Sequence, residues 1–286
     1  MEWLLSSPLL LELVRGVLLL VALVALLYAC AVVGEHFVRR RWFRSYRLAS
    51  EQLRRGYSSR AEALFRESAR WSYGSLRTAA LAGVGVCRLH QGAYAEAVAL
   101  LEPLMKRRLP PWMALDELAL RGHLALGLAM LGETRRAWRW IHEACRRFDG
   151  MPTFLVMPTV AILCREGNVG AALKKMEESW AMVLAEGFVC GRLRLFRAYA
   201  QSKVDPERDV GFVILTLHSL APFPEKELAF FREHWPVFAD FLERGNEMVA
   251  AREAERARWL AAEQAAREEA AARARPPAPG EDDSSG

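Results

Sequence analysis

Several signatures of chemistry are absent from this sequence. It contains no HExxH, no GxxxxGK[ST], no GxSxG and no GxGxxG between a strand and a helix. The pair Gly83 and Gly85 in "GVG" is followed by neither lysine nor Ser/Thr, so it reads as a helix-packing pair rather than a phosphate loop. Cysteine is sparse and odd in number. Cys30, Cys87, Cys145, Cys164 and Cys190 form no CxxC pair, which argues against a disulfide scaffold and for reduced thiols. His142 and Cys145 lie one helical turn apart without two further ligands nearby, and His90, His123 and His218 stand singly. The expectation is a protein that is not an enzyme, with no catalytic residues, no metal and no cofactor.

Charge is also absent where it matters. From Gly16 to Gly34 no residue is charged. As a helix this stretch measures about 28 Å, close to the hydrocarbon thickness of a bilayer. Immediately afterwards the charge is of one sign. Between Glu35 and Arg60 stand eight arginines against two glutamates, more than the whole net charge of +5, so the rest of the chain sums to −1. A basic character confined to the end of an apolar run is no nucleic-acid footprint, and no nucleic-acid partner is expected.

A cleavable secretory signal fits poorly, because "MEWLLSSPLLLELVR" carries Glu2 and Glu12 against Arg15. "LYAC" places Leu27, Tyr28 and Ala29 before Cys30 like a lipobox, but Tyr28 is bulky for its place and the following "AVV" is apolar. The preferred reading is an uncleaved single-pass anchor over 1–38, with its membrane core at about 16–34. A basic juxtamembrane segment, 39–60, runs on into the body. The arginine collar of Arg39, Arg40, Arg41 and Arg44 then places the N-terminus outside and the body in the cytoplasm, as in a bacterial inner membrane. Arginine-rich, lysine-poor, alanine-rich usage fits a GC-rich bacterium. The collar either sets topology alone or also holds anionic lipid. Trp42, Phe43 and Tyr46 suit either the headgroup layer or the start of the folded body.

The body carries a repeat. Helix-like stretches end at Gly56, Gly92, Gly132 and Gly167, spaced by 36, 40 and 35 residues. Each glycine is followed by an amphipathic stretch that opens on a small residue (Ala61, Ala97, Ala137, Ala172) with a large one four later (Phe65, Leu101, Ile141, Met176). That spacing puts both on one helix face and predicts helix–turn–helix units. Pro110, Pro111 and Pro152 punctuate the joins, and Pro158 should kink or restart the fourth unit's first helix.

"GAYAEAVALLEPL" resembles the tetratricopeptide repeat (TPR) family through Gly92, Tyr94, Ala97 and Leu101, with Gly85 on the preceding helix. The next unit resembles it through Ala125, Leu128, Gly132, Ala137 and Ala144. The resemblance covers roughly 44–186. It implies an all-α, TPR-like α-solenoid behind the N-terminal transmembrane helix. It also implies a concave groove lined by first helices, here Ala82, Val86, Leu89, Gly122, Leu126, Met130, Ala161 and Cys164. The Lys/Asn set of the family's carboxylate clamp is lacking, so the groove would suit an amphipathic helix or peptide, unless the chain's own C-terminal helices fill it.

Residues 187–244 read as divergent capping helices. Asp205 and Pro206 should start one, and Pro224 should start an aromatic-rich one running to Arg244. A charged Ala/Glu/Arg helix over 245–275 and a disordered acidic tail over 276–286 complete the chain. The expected function is a membrane-tethered adaptor or scaffold that gathers a protein partner at the cytoplasmic membrane face. Two rivals remain: a lipid-anchored periplasmic assembly factor through Cys30, and a membrane-shaping protein acting on anionic lipid.

Overall fold

The computed structural model describes residues 8–107, 109, 114–146, 151–185, 191–205, 207 and 210–273. Among these residues the chain is helical, with twelve α-helices and no strand. It divides into two compact units, one ending at Thr159 and the other beginning at Val160.

The first unit begins with one unbroken helix, α1 (Pro8–Arg54). Its apolar part is fully exposed, as Val17, Leu20, Val24, Leu27 and Val33 illustrate. It is the one helix among the described residues long and apolar enough to cross a membrane, its apolar 18-residue stretch having a mean hydropathy of 2.9. From Trp42 onward the same helix joins a core. Trp42 is buried and stacks on Tyr46 at 4.5 Å, and Tyr46 meets Phe65 edge-on at 5.2 Å. Trp42 and Tyr46 therefore belong to the body, while Phe43 stays partly exposed.

Against this lower part packs α2 (Ser58–Arg70), running the opposite way. As α1 passes from Arg41 to Ala49, its neighbours on α2 fall from Glu67 to Ala61. There follow α3 (Gly74–His90), α4 (Tyr94–Leu104), α5 (Ala114–Met130) and α6 (Thr134–Cys145), each packed on the one before it. A 3-10 turn, Thr153–Leu155, lies against α5.

The repeated glycines have a common backbone geometry. Gly56, Gly92, Gly132 and Gly167 take φ of +86°, +77°, +87° and +77°. In each case the glycine N–H donates to the carbonyl three residues back: Leu53, Leu89, Ala129 and Cys164. The next N–H donates five back, from Tyr57 to Gln52, Ala93 to Arg88, Glu133 to Leu128 and Asn168 to Leu163, all at 2.9 Å. This pair of bonds is the Schellman motif, which satisfies the last carbonyls of a helix and needs a left-handed residue. The N–H of each small residue noted in the sequence (Ala61, Ala97, Ala137, Ala172) then closes the first turn of the following helix. All four alanines are fully buried, as are Phe65, Leu101, Ile141 and Met176.

Close approach explains the buried glycines. A Cβ on Gly83 would stand 2.6 Å from Cδ1 of Phe65, and one on Gly127 would stand 2.8 Å from Cγ2 of Val98. Helices α5 and α6 are also tied by Arg121, whose guanidinium is nearly buried, bonds Glu117 at 2.9 Å and pairs with Glu143.

Helix α7 (Val156–Arg165) spans the division between the units. Pro158 lies in its first turn, so the proline restarts the helix after the 3-10 turn; the absent N–H there has no intrahelical partner to lose. The second unit continues with α8 (Val169–Ala185), α9 (Gly191–Val204), α10 (Val210–Leu220), α11 (Glu225–His234) and α12 (Pro236–Arg273). Within the second unit α8 packs on α9.

Two expected helix boundaries differ. Helix α10 starts at Val210, and the Asp205 carboxylate instead accepts from the Glu207 amide at 3.3 Å. The stretch starting at Pro224 is interrupted at Trp235, and Pro236 opens a new helix. That break lets Trp235 join Phe196, Tyr199, Phe231, Phe238 and Phe241 in one buried aromatic cluster. The Asn246 side chain clips the connection before α11 onto α12. It accepts from the Phe223 N–H at 2.7 Å and donates to the Phe223 carbonyl at 3.0 Å. Past Ala250, α12 is solvated almost throughout.

Candidate functional surfaces

The collar predicted from sequence is divided in its task. Arg39, Arg40 and Arg44 are exposed. Arg39 lies 5.8 Å from the Phe43 ring centroid on the same helix. Arg41 turns to the body instead: it pairs with Glu67 at 3.5 Å and covers the Trp71 ring at 4.9 Å. One collar residue therefore couples the end of the apolar helix to the α2–α3 connection.

The groove expected on the first helices is closed. Leu89 is 2% exposed and Leu126 and Met130 are 0% exposed; Ala82, Val86, Ala161 and Cys164 are buried as well. Gly122 packs so closely that a Cβ would stand 3.0 Å from Leu155. In the first unit α3 contacts α1, α2, α4 and α5, so these first-helix side chains are covered by neighbouring helices. These residues are core, and the expectation of an open apolar surface at Leu89, Leu126 and Met130 is corrected accordingly.

Apolar side chains reach solvent elsewhere. On α10, Val210, Ile214 and Leu215 are exposed, Leu215 at 69%. The spacing i, i+4, i+5 keeps them on one side of the helix. Beneath them Arg197 of α9 covers both Trp180 and Phe212, at 4.8 and 5.1 Å.

A cleft of about 720 Å³ opens at the start of α3, lined by Tyr73, Gly74, Ser75, Arg77, Thr78, Leu81 and Arg107. Trp71 and Tyr73 stand beside it, 60% and 64% exposed. Sequence reasoning passed over this surface. Its signals were two aromatics inside "RWSYGSLR" and the lack of any Asp or Glu from Ser68 to Ala95.

Two interior thiols and one interior histidine are held neutral. Burial pushes the Cys87 thiol up to about 12, helped by the Glu62 carboxylate, and burial alone takes Cys164 to about 12. Such thiols are poor nucleophiles at neutral pH. His123, whose ring lies 6.2 Å from that of His90, is lowered to about 4 by burial and then by the neighbouring histidine. Among the described residues no group of three His, Cys, Asp or Glu side chains is placed to hold a metal ion, and the four described cysteines form no disulfide.

No family model, curated protein or solved structure matches this chain.

Proposed function

We propose that this protein is a membrane-tethered adaptor: α1 crosses a bilayer once, and the helical body gathers a protein partner on the side marked by the arginines. The observation that carries this reading is the continuity of α1, whose exposed apolar stretch passes without a break into a segment buried in the body. A helix of this build transmits position rigidly, so the body is held near the bilayer. The positive-inside rule puts that body in the cytoplasm of a bacterial cell. The repeated helix–Schellman–helix hairpins support a TPR-like solenoid, an architecture whose broad surfaces suit protein recognition.

With the first-helix residues in the core, the partner contact moves to the exposed face of α10. Ile214 and Leu215 offer apolar side chains to an amphipathic helix. Continuation of α1 through Cys30 to Arg54 supports the anchor over a lipid attachment at that cysteine.

The test is site-specific photocrosslinking in cells with the full chain. A photoreactive residue at Leu215 should give a discrete adduct in the membrane fraction, and one at Glu255 on the solvated part of α12 should not. A chain beginning at Glu35 should lose the adduct. Absence of any adduct at Leu215, or an undiminished one without the apolar helix, contradicts the adaptor reading.

A further inference from the structure

We propose that the first unit has a second membrane contact, a rim around Trp71 and Tyr73 that docks on anionic phospholipid headgroups. The inference rests on the proposed crossing by α1. Three observations converge on it.

The first is position. Arg41 lies seven residues past Gly34, about 10 Å along the helix, where the headgroup layer gives way to water. Trp71 is held against Arg41 at 4.9 Å, so it sits at that depth. Helix α2 runs back toward the apolar end of α1 and stops there.

The second is chemistry. Trp71 and Tyr73 are large aromatics left mostly uncovered by the fold, beside a buried Ser72 that bonds the Ser68 carbonyl at 2.7 Å and fixes the connection. Amphipathic rings of this kind favour the bilayer interface over bulk water.

The third is charge. Arg70, Arg77, Lys106 and Arg107 are exposed at this end of α2, α3 and α4, and Arg77 and Arg107 line the cleft beside Tyr73. Of the glutamates on these helices, Glu62 and Glu96 lie toward the opposite end, paired with Arg66 and Arg88, while Glu67 and Glu102, nearer this edge, are each paired with an arginine, Arg41 and Arg136. An acidic headgroup layer complements such an edge, because each basic residue near it is drawn to the anionic surface. Docking there would set the tilt of the body on the membrane, a constraint that a single helix leaves open.

The test uses the full chain in nanodiscs of phosphatidylcholine with roughly one third phosphatidylglycerol, prepared with and without lipid brominated close to the headgroup. Subtracting the tryptophan emission of the Trp71→Phe variant isolates the contribution of Trp71. Brominated lipid should quench that difference by more than half, and Arg77→Glu with Arg107→Glu should restore most of it. Equal quenching in discs of phosphatidylcholine alone would remove the role of anionic lipid. An unquenched difference signal from chain that has entered the discs overturns the docking and leaves the crossing intact. Chain that fails to enter the discs refutes the crossing on which the proposal stands.

Discussion

Gly85 and Leu101 touch so closely that a Cβ on the glycine would stand 2.6 Å from Cδ2 of the leucine. Leu101 is fully buried and cannot swing aside. The small residue on α3 and the large one on α4 are thus two halves of one contact. Gly85→Ala should cost about 1–3 kcal/mol in packing, offset by roughly 1 kcal/mol of helix propensity. The net loss should appear as a Tm lower by several degrees. In a Leu101→Ala background the same change should become neutral or stabilising. Equal costs in both backgrounds would show that the two residues are uncoupled.

Leu126→Arg discriminates core from groove. The side chain is fully buried, so an arginine there has neither water nor a counterion, and the cost should be several kcal/mol. The chain should lose its cooperative melting transition. A variant that melts like the wild type would reopen the groove reading. The contrasting Leu215→Arg, at an exposed position, should leave Tm within about a degree.

Much of this was readable from sequence, for reasons that differ by element. The uncharged run Gly16–Gly34 needs no partner to be recognised, since its length and composition suffice. The four turns were readable because a left-handed backbone position selects glycine locally, and Ala61, Ala97, Ala137 and Ala172 follow from the same turn. The groove was misread because periodicity gives the apolar faces of α3 and α5 but not which neighbour covers them. Leu89, Leu126 and Met130 look alike on paper whether a partner or α3–α5 packing buries them. The break at Trp235 was hidden for a similar reason. Pro236 is compatible with either a kink or a fresh start, and only the aromatic cluster of Phe196, Tyr199 and Phe238 decides between them.

His123 predicts an acid sensitivity. Its folded pKa of about 4 lies below the 6.5 of an unperturbed histidine, so the unfolded chain takes up a proton first as pH falls. Stability is therefore unaffected above about pH 6.5 and declines from there toward about pH 4, by about 3 kcal/mol from this group. His123→Gln should flatten that part of the stability–pH curve. An unchanged slope between those limits would show that His123 is not held neutral in the folded state.

The Gly92 turn offers a backbone test. At φ +77° any L side chain is strained, and nothing crowds the position. Gly92→Ala should destabilise by about 1–2 kcal/mol, with Gly92→Asn clearly milder because asparagine tolerates the left-handed region. Equal effects from both would indicate a steric rather than a conformational origin.

The central claim, a single crossing with the body on the arginine side, is tested most directly by thiol accessibility. Cys87 and Cys164 are buried and make poor probes, so the probe is a thiol introduced by Glu255→Cys on the solvated part of α12, with Cys145→Ser and Cys190→Ser removing competitors. The chain should stay with membranes through alkaline carbonate. In spheroplasts the introduced thiol should resist a membrane-impermeant maleimide until detergent is added. Efficient labelling of intact spheroplasts, or release of the chain by carbonate, would contradict the account.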